Sequence, residues 1–196
     1  MFSRKKPSAG MAGAESANAL YVLLWPHREA MVRRWSDVVH GTYPFETVGF
    51  LRTAHDRFAN PVGFCTAEAA KALMEAVFAE RPDEEIIKKA VDEIIRVRAI
   101  QDFSPETAVG IFFAMKDIVR DVVKNSEDFS TGLMPALWAL ESRIDAVALL
   151  AFGAHARNRE TLHRLRVEEE KRKLSQILRL AEKKAARSDK TDSDNE

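Results

Sequence analysis

Hydrophobic residues recur at intervals of three and four along most of the chain, which is the spacing that places them on one face of an α-helix. Five segments show it: 18–39, 66–80, 83–101, 105–125 and a long segment that begins near Leu133. A further short helical turn is expected between residues 45 and 55. The pattern predicts an all-α fold of five to six helices with a long C-terminal helix, either an antiparallel bundle or a globin-like pack.

Capping and turn residues predict where these helices begin and end. Pro26 either kinks the first segment or starts a second helix. The segment Asn60-Pro61-Val62-Gly63 predicts a turn, because the residue before a proline avoids the helical region and glycine permits positive φ. Thr66 and Asp83 are then expected to be the N-caps of the next two helices. Ser104-Pro105-Glu106 predicts a tight elbow followed by another helix start.

The last helical segment changes character beyond Gly153. Before that residue its hydrophobic positions face a core, and after it arginine, glutamate and lysine dominate while leucines still recur. Lys171 occupies a heptad position that suits an apolar residue, so the segment predicts only a weak coiled coil. We predict four regions: a flexible arm over 1–17, a helical domain over 18–152, a charged helical extension over 153–187 and a disordered tail over 188–196.

Composition narrows the class of protein. Eight glycines and seven prolines among 196 residues leave little turn chemistry for a sheet of many strands. Lysine plus arginine and aspartate plus glutamate both number 30, and this balance argues against nucleic acid as a ligand. No stretch approaches twenty apolar residues, so no membrane insertion is expected. The single cysteine, Cys65, suits a reducing compartment, and we predict a cytoplasmic location.

The signatures of common active sites are absent from the sequence. It contains no phosphate-binding glycine loop, no dinucleotide fingerprint, no Cys-x-x-Cys and no His-Glu-x-x-His. The histidines are interpreted as surface or capping residues, and His155 and His163 lie about two helical turns apart, too far for one metal ion. One well-placed imidazole would still suffice for haem in a globin-like pack. The leading prediction is no catalysis, no metal and no cofactor.

One arginine falls where a hydrophobic residue is expected. Arg98 continues the apolar stripe of the helix over 83–101. A buried arginine needs a partner, and Asp102 and Asp56 are the candidates for an ion pair. One interpretation is an ionic clasp that holds the elbow and the preceding turn together. The other is that Arg98, together with Arg57, lines a pocket for an anion.

Two segments carry a resemblance to a known family. They are Asp56-Arg57-Phe58-Ala59-Asn60-Pro61-Val62-Gly63 and Arg96-Val97-Arg98-Ala99-Ile100-Gln101-Asp102-Phe103-Ser104-Pro105. Both resemble signature stretches of the RsbRD N-terminal domain family, which is named for a co-antagonist of the RsbT kinase. Trp35 and Thr42-Tyr43-Pro44 resemble the opening helix of that family and the break after it. The resemblance covers residues 18–150.

The resemblance implies an all-helical input domain of the kind placed before a histidine kinase or a STAS domain. The related RsbR N-terminal domains are dimeric, globin-like and without haem. Only the charged helix follows residue 150, so any output is expected to act by contact. The prediction is a non-catalytic, sensor-type regulatory module that forms a homodimer and binds a protein partner through its C-terminal helix. The alternatives are a globin-like protein that binds haem or an anion, and a structural subunit of a larger complex.

Overall fold

The computed structural model describes the backbone of residues 9–44, 61–79, 81–127 and 130–193, and the side chains of residues 16–44, 67–79, 81–127 and 130–181. The helices in these residues are α1 (Ala9–Leu24), α2 (Arg28–Gly41), α3 (Pro61–Phe78), α4 (Glu84–Ile100), α5 (Pro105–Lys124) and α6 (Met134–Ser193). Short 3-10 turns, Trp25–His27 and Thr131–Leu133, precede α2 and α6. The predicted all-α class with a long C-terminal helix is confirmed.

The chain divides into two compact units, residues 1–156 and 157–196. Helices α1 to α5 and the beginning of α6 belong to the first unit, and their buried side chains form one hydrophobic cluster. The second unit is the C-terminal part of α6, whose described side chains are exposed or half-buried. No helix in the described part of the chain is long and apolar enough to cross a membrane.

Helix α2 packs on α3 and α5, while α3 packs mainly on α4. The indole of Trp35 is fully buried, with its ring centroid 5.8 Å from that of Phe112, and it donates its N–H to the Ile111 carbonyl of α5 at 2.6 Å. A buried N–H without an acceptor is costly, so this bond fixes the rotation of α2 against α5. Spacing along α2 predicts Met31, Trp35 and Val38 on its buried face, but Val39 is buried instead and Val38 is exposed.

Several predicted helix ends are confirmed. The Asp83 carboxylate caps α4 by accepting the backbone N–H groups of Glu85 and Ile86. The Ser104 hydroxyl caps α5, with Pro105 as the first helical residue. Pro26 lies in the 3-10 turn between α1 and α2, so it starts a second helix rather than kinking one.

The predicted turn around residue 60 is wrong over its described part, because Pro61 and Gly63 lie in the first turn of α3. A proline at the first helical position lacks only an N–H that would have no partner there, and its φ already suits the helix. Thr66 consequently lies inside α3 instead of capping it. Asp56, Arg57 and Asn60 lie outside the described residues, as does the helical turn predicted between 45 and 55.

Both ends of the chain carry more helix than expected. Helix α1 begins at Ala9, within the predicted arm, and α6 ends at Ser193, within the predicted tail. Alanine is frequent at the start of α1, and lysine, alanine and arginine, all strong helix formers, occupy 183–187, just before the final serine- and aspartate-rich turns of α6. The domain boundaries drawn from composition stay predictions.

Candidate functional site

A group of polar and aromatic side chains surrounds the elbow between α4 and α5. We call it the elbow cluster, and it consists of Thr42, Tyr43, Arg98, Phe103 and His155. Thr42 and Tyr43 follow α2, Arg98 lies in the last turn of α4, Phe103 lies in the elbow, and His155 lies in α6. All five belong to the first unit. Among the described side chains, the buried polar or charged ones are Arg98, 1% exposed, and His155, 3% exposed. The cluster therefore contains the polar side chains that are buried in the described part of the core.

The elbow is shaped by the way α4 ends. Asp102 adopts the left-handed conformation, with φ 65°, which aspartate tolerates better than most residues. The N–H of Asp102 donates to the Ala99 carbonyl at 3.3 Å, and the N–H of Phe103 donates to the Arg98 carbonyl at 3.2 Å. This pair of bonds is the Schellman motif, which brings the residue two places beyond the helix back against its last turn. Phe103 is thereby placed on Arg98.

The guanidinium of Arg98 is held by aromatic rings and by two oxygen atoms. Its Nη2 donates to the Thr42 hydroxyl at 3.0 Å and to the Thr107 carbonyl at 2.8 Å. Its central carbon lies 4.2 Å from the ring centroid of Phe103 and 5.7 Å from that of Tyr43, within the range of a cation–π interaction. Its Nε and Nη1 are buried and have no hydrogen-bond partner among the residues that the structure describes.

The burial of Arg98 was predicted correctly; of its two predicted partners, Asp102 is not among the groups that bind it, and Asp56 stays a prediction. Asp102 is exposed on the elbow and is not bonded to Arg98, and Asp56 lies outside the described residues. The physical reason is that the Schellman turn puts the phenylalanine, rather than the aspartate, over the cation. Spacing along a helix does not indicate which residue of the following turn will pack back against the last turn of that helix.

The phenol of Tyr43 completes the aromatic side of the cluster. Its ring meets Phe103 edge to face, with centroids 5.0 Å apart, and its hydroxyl donates to Gln101 Oε1 at 2.9 Å. Burial raises the pKa of Tyr43, and the nearby positive charge of Arg98 partly opposes this shift. Burial likewise lowers the pKa of Arg98, although an arginine stays protonated in proteins. At neutral pH the pair is thus a neutral phenol beside a buried cation.

His155 links α6 to the elbow, and this contact was missed at the sequence level. Its Nε2 lies 3.1 Å from the Phe103 carbonyl oxygen. A carbonyl only accepts hydrogen bonds, so Nε2 carries the hydrogen. The interpretation of His155 as a surface residue is wrong, whereas His27 and His163 are exposed as expected.

A signal for the burial of His155 does exist in the sequence. Ile144, Ala148, Ala151 and His155 are spaced four, three and four apart, so the histidine continues the buried stripe of α6. The change in composition beyond Gly153 concealed this continuity, because the neighbours of His155 are already charged.

The cluster is built to hold three parts of the fold together. Within the described residues, no group of three or more histidine, cysteine, aspartate or glutamate side chains is placed to bind a metal ion. The hydrogen bonds of Arg98 join the end of α2 to the start of α5, and that of His155 joins α6 to the elbow. The elbow is therefore linked by hydrogen bonds to the end of α2, to the start of α5 and to α6.

Fold and cluster together define an all-helical domain in which Arg98 and His155 are buried beside the elbow between α4 and α5. Residues 29–169 match the family model described as the RsbT co-antagonist protein rsbRD N-terminal domain. The match covers well over half of the chain, so the protein belongs to this family of signalling regulators, and the resemblance noted in the sequence is confirmed. No curated protein and no solved structure matches the chain, and the globin-like alternative for the fold stays a prediction.

Proposed function

We propose that this protein is a non-catalytic, cytoplasmic regulatory module that forms a homodimer and acts by binding a protein partner through its C-terminal helix. The observation that carries the proposal is the exposure of large apolar side chains in the second unit. Five of them are more than half exposed: Leu165, Leu174, Ile177, Leu178 and Leu180. Membership of a family of signalling regulators supports a regulatory role.

Part of this apolar surface forms one face of the helix. Leu174, Ile177, Leu178 and Ala181 follow the spacing i, i+3, i+4 and i+7, which is the pattern of an amphipathic helix that lies in an apolar groove. Burying the three larger side chains would contribute roughly 1 kcal/mol each, since about half of each is exposed and full burial is worth about twice that. The proposed partner is therefore a protein with an apolar groove or helix of its own.

In this proposal, the elbow cluster is the part of the domain that responds to a signal. The hydrogen bond from His155 to the Phe103 carbonyl joins α6 to the elbow, and the hydrogen bond from Arg98 to Thr42 joins α4 to the end of α2. In the proposed mechanism, a change at the elbow alters the helix that continues from His155. No catalytic step is needed for such a module.

A pair of matched variants tests the partner-binding part of the proposal. Ile177→Glu places a charge on the apolar face, whereas Gln176→Glu places the same charge about 100° away around the helix, outside it. Both full-length variants and the wild type are used as bait with extract of the native host, and the recovered proteins are compared by mass spectrometry. We expect a partner that Gln176→Glu retains and Ile177→Glu loses. Identical recovery by both variants would contradict this role of the helix.

A second candidate function, the binding of an anion, is favoured by one observation. Two buried nitrogen atoms of Arg98 lack a hydrogen-bond partner within the described residues, and a phosphate or carboxylate oxygen would supply one. Arg57, outside those residues, is the other predicted ligand. A rise in melting temperature with phosphate, sulfate or acetate that Arg98→Met abolishes would favour this function. Haem binding and the role of a structural subunit stay predictions, testable by haem titration and by purification of native complexes.

A further inference from the structure

Helix α6 carries a second row of apolar residues within the first unit, on the side away from the core. Trp138 is 60% exposed, Leu149 72% and Phe152 51%. Together with Ser142 and Asp145, these residues are spaced four, three, four and three apart, so they lie within about 80° of arc around the helix. A single exposed leucine needs no explanation, but a row with two large aromatic rings does.

Two ion pairs show which helix borders this row. Lys116 of α5 bonds Asp145 of α6 at 2.5 Å, and Arg120 of α5 bonds Glu141 of α6 at 2.7 Å. Arg120 follows Lys116 by four residues on α5, whereas its partner Glu141 precedes Asp145 by four residues on α6. The two helices therefore run antiparallel. The residue about one turn before Lys116 therefore lies level with the residue about one turn after Asp145.

The residues at that level are Phe113 and Leu149. Phe113 is 48% exposed, and its ring lies 5.8 Å from the Lys116 ammonium, on the side of α5 that borders α6. Both helices thus contribute apolar side chains to this side of the first unit, with Ser142 and Asp145 between Trp138 and Leu149. We call this surface the outer face, and it consists of Phe113, Trp138, Leu149 and Phe152.

We propose that the outer face is the contact between two copies of this chain. The inference rests on the homodimer of the proposed function, and it places the dimer contact on the folded first unit instead of the charged helix. Asp145 lies within the row and pairs with Lys116, and Arg120 beside the row pairs with Glu141 and Asp117, so two cations meet three carboxylates. In a two-fold contact each surface meets its own copy, so a net charge would repel itself. This apolar face carries a surplus of only one carboxylate, which favours a second copy over a highly charged partner.

The size and composition of the outer face agree with such a contact. Each of its three aromatic side chains is about half exposed, so each offers roughly 100 Å², and the four residues offer roughly 400 Å². This is about half of the ~800 Å² per partner that a stable interface buries, the remainder coming from the polar rim. Aromatic residues in the centre with charged residues at the edge are also the usual composition of interfaces.

The test compares three matched variants of the full-length protein by analytical ultracentrifugation over a range of concentrations. Leu149→Glu places a charge in the outer face, Val22→Glu places it on α1 at a side chain that is 62% exposed, and Ile177→Glu places it on the second unit. Because a two-fold contact repeats each substitution, we expect Leu149→Glu to raise the dimer dissociation constant on the order of 100-fold. Val22→Glu and Ile177→Glu should leave it unchanged. Circular dichroism checks that all three variants remain folded.

Trp138 provides an independent measurement in a Trp25→Phe background. Its emission should shift to the red when the wild type is diluted below the dissociation constant, because the indole becomes exposed to water. If the dimer persists in both Leu149→Glu and Phe152→Glu, the inference is overturned. If only Ile177→Glu abolishes the dimer, the inference is also overturned, because the contact then lies on the second unit. A wild type that is monomeric at every concentration overturns the inference together with the proposed homodimer. Partner binding would still stand on its own test with Gln176→Glu and Ile177→Glu.

Discussion

Replacing Arg98 with methionine should change the free energy of unfolding very little, although the arginine is buried and charged. The substitution removes two hydrogen bonds from Nη2, worth about 2 kcal/mol each with a charged donor, and a cation–π contact worth about 1 kcal/mol. Neither acceptor is left stranded: the Thr42 hydroxyl also donates to the Val39 carbonyl at 2.6 Å, and the Thr107 carbonyl lies within α5.

The same substitution also removes a cost. Nε and Nη1 are buried without a hydrogen-bond partner in the described residues, and each such group costs about 2 kcal/mol. A buried methionine side chain adds about 1 kcal/mol of hydrophobic stabilisation. The loss and the gain are both about 5 kcal/mol, so we expect Arg98→Met to lie within about 1.5 kcal/mol of the wild type. Arg98→Ala leaves a cavity as well, and should cost about 3–5 kcal/mol.

Urea unfolding followed by far-ultraviolet circular dichroism measures both variants. The protein concentration is kept constant, because any dimerisation makes the apparent stability depend on it. The slope with urea serves as a control, since a changed slope would mean that the folded or unfolded state itself had changed. A loss above about 3 kcal/mol in Arg98→Met at unchanged slope would refute the reasoning, because it would show that the buried charge is net stabilising.

Two further predictions concern the elbow cluster. His155→Leu leaves the half-buried Phe103 carbonyl without its histidine donor and should cost about 1 kcal/mol, whereas His155→Gln retains a donor and should recover part of this loss. Equal losses in the two variants would contradict the importance of the bond. Because burial raises the pKa of Tyr43 above 10.0, the folded protein keeps the phenolic proton after the unfolded chain loses it. Stability therefore falls as the pH rises through 10.0, and the advantage of the wild type over Tyr43→Phe should shrink from pH 8 to pH 11 in urea titrations. A constant difference would refute this assignment.

Local features of this protein were predictable because they depend on residues close together in the chain. The caps at Asp83 and Ser104 need only a side-chain oxygen beside the first free N–H groups of a helix. The burial of Arg98 followed from its place on an apolar stripe, since helical spacing alone decides which residues share a face. The family could also be named from two contiguous segments.

Contacts between distant segments were not predictable in the same way. The bond between His155 and the Phe103 carbonyl joins residues 52 positions apart, and the ion pair between Arg120 and Glu141 depends on the register of two helices. Pro61 shows the same limit on a smaller scale, because a proline can end one helix or begin the next. In each case the local chemistry allowed more than one arrangement.

The amino-acid sequence thus specified the all-helical class, the caps at Asp83 and Ser104, the burial of Arg98 and the family. The packing of the helices decided which groups Arg98 and His155 bind. The reason is that helix formation follows spacing within a few residues, whereas partner choice depends on which surfaces the whole chain brings together.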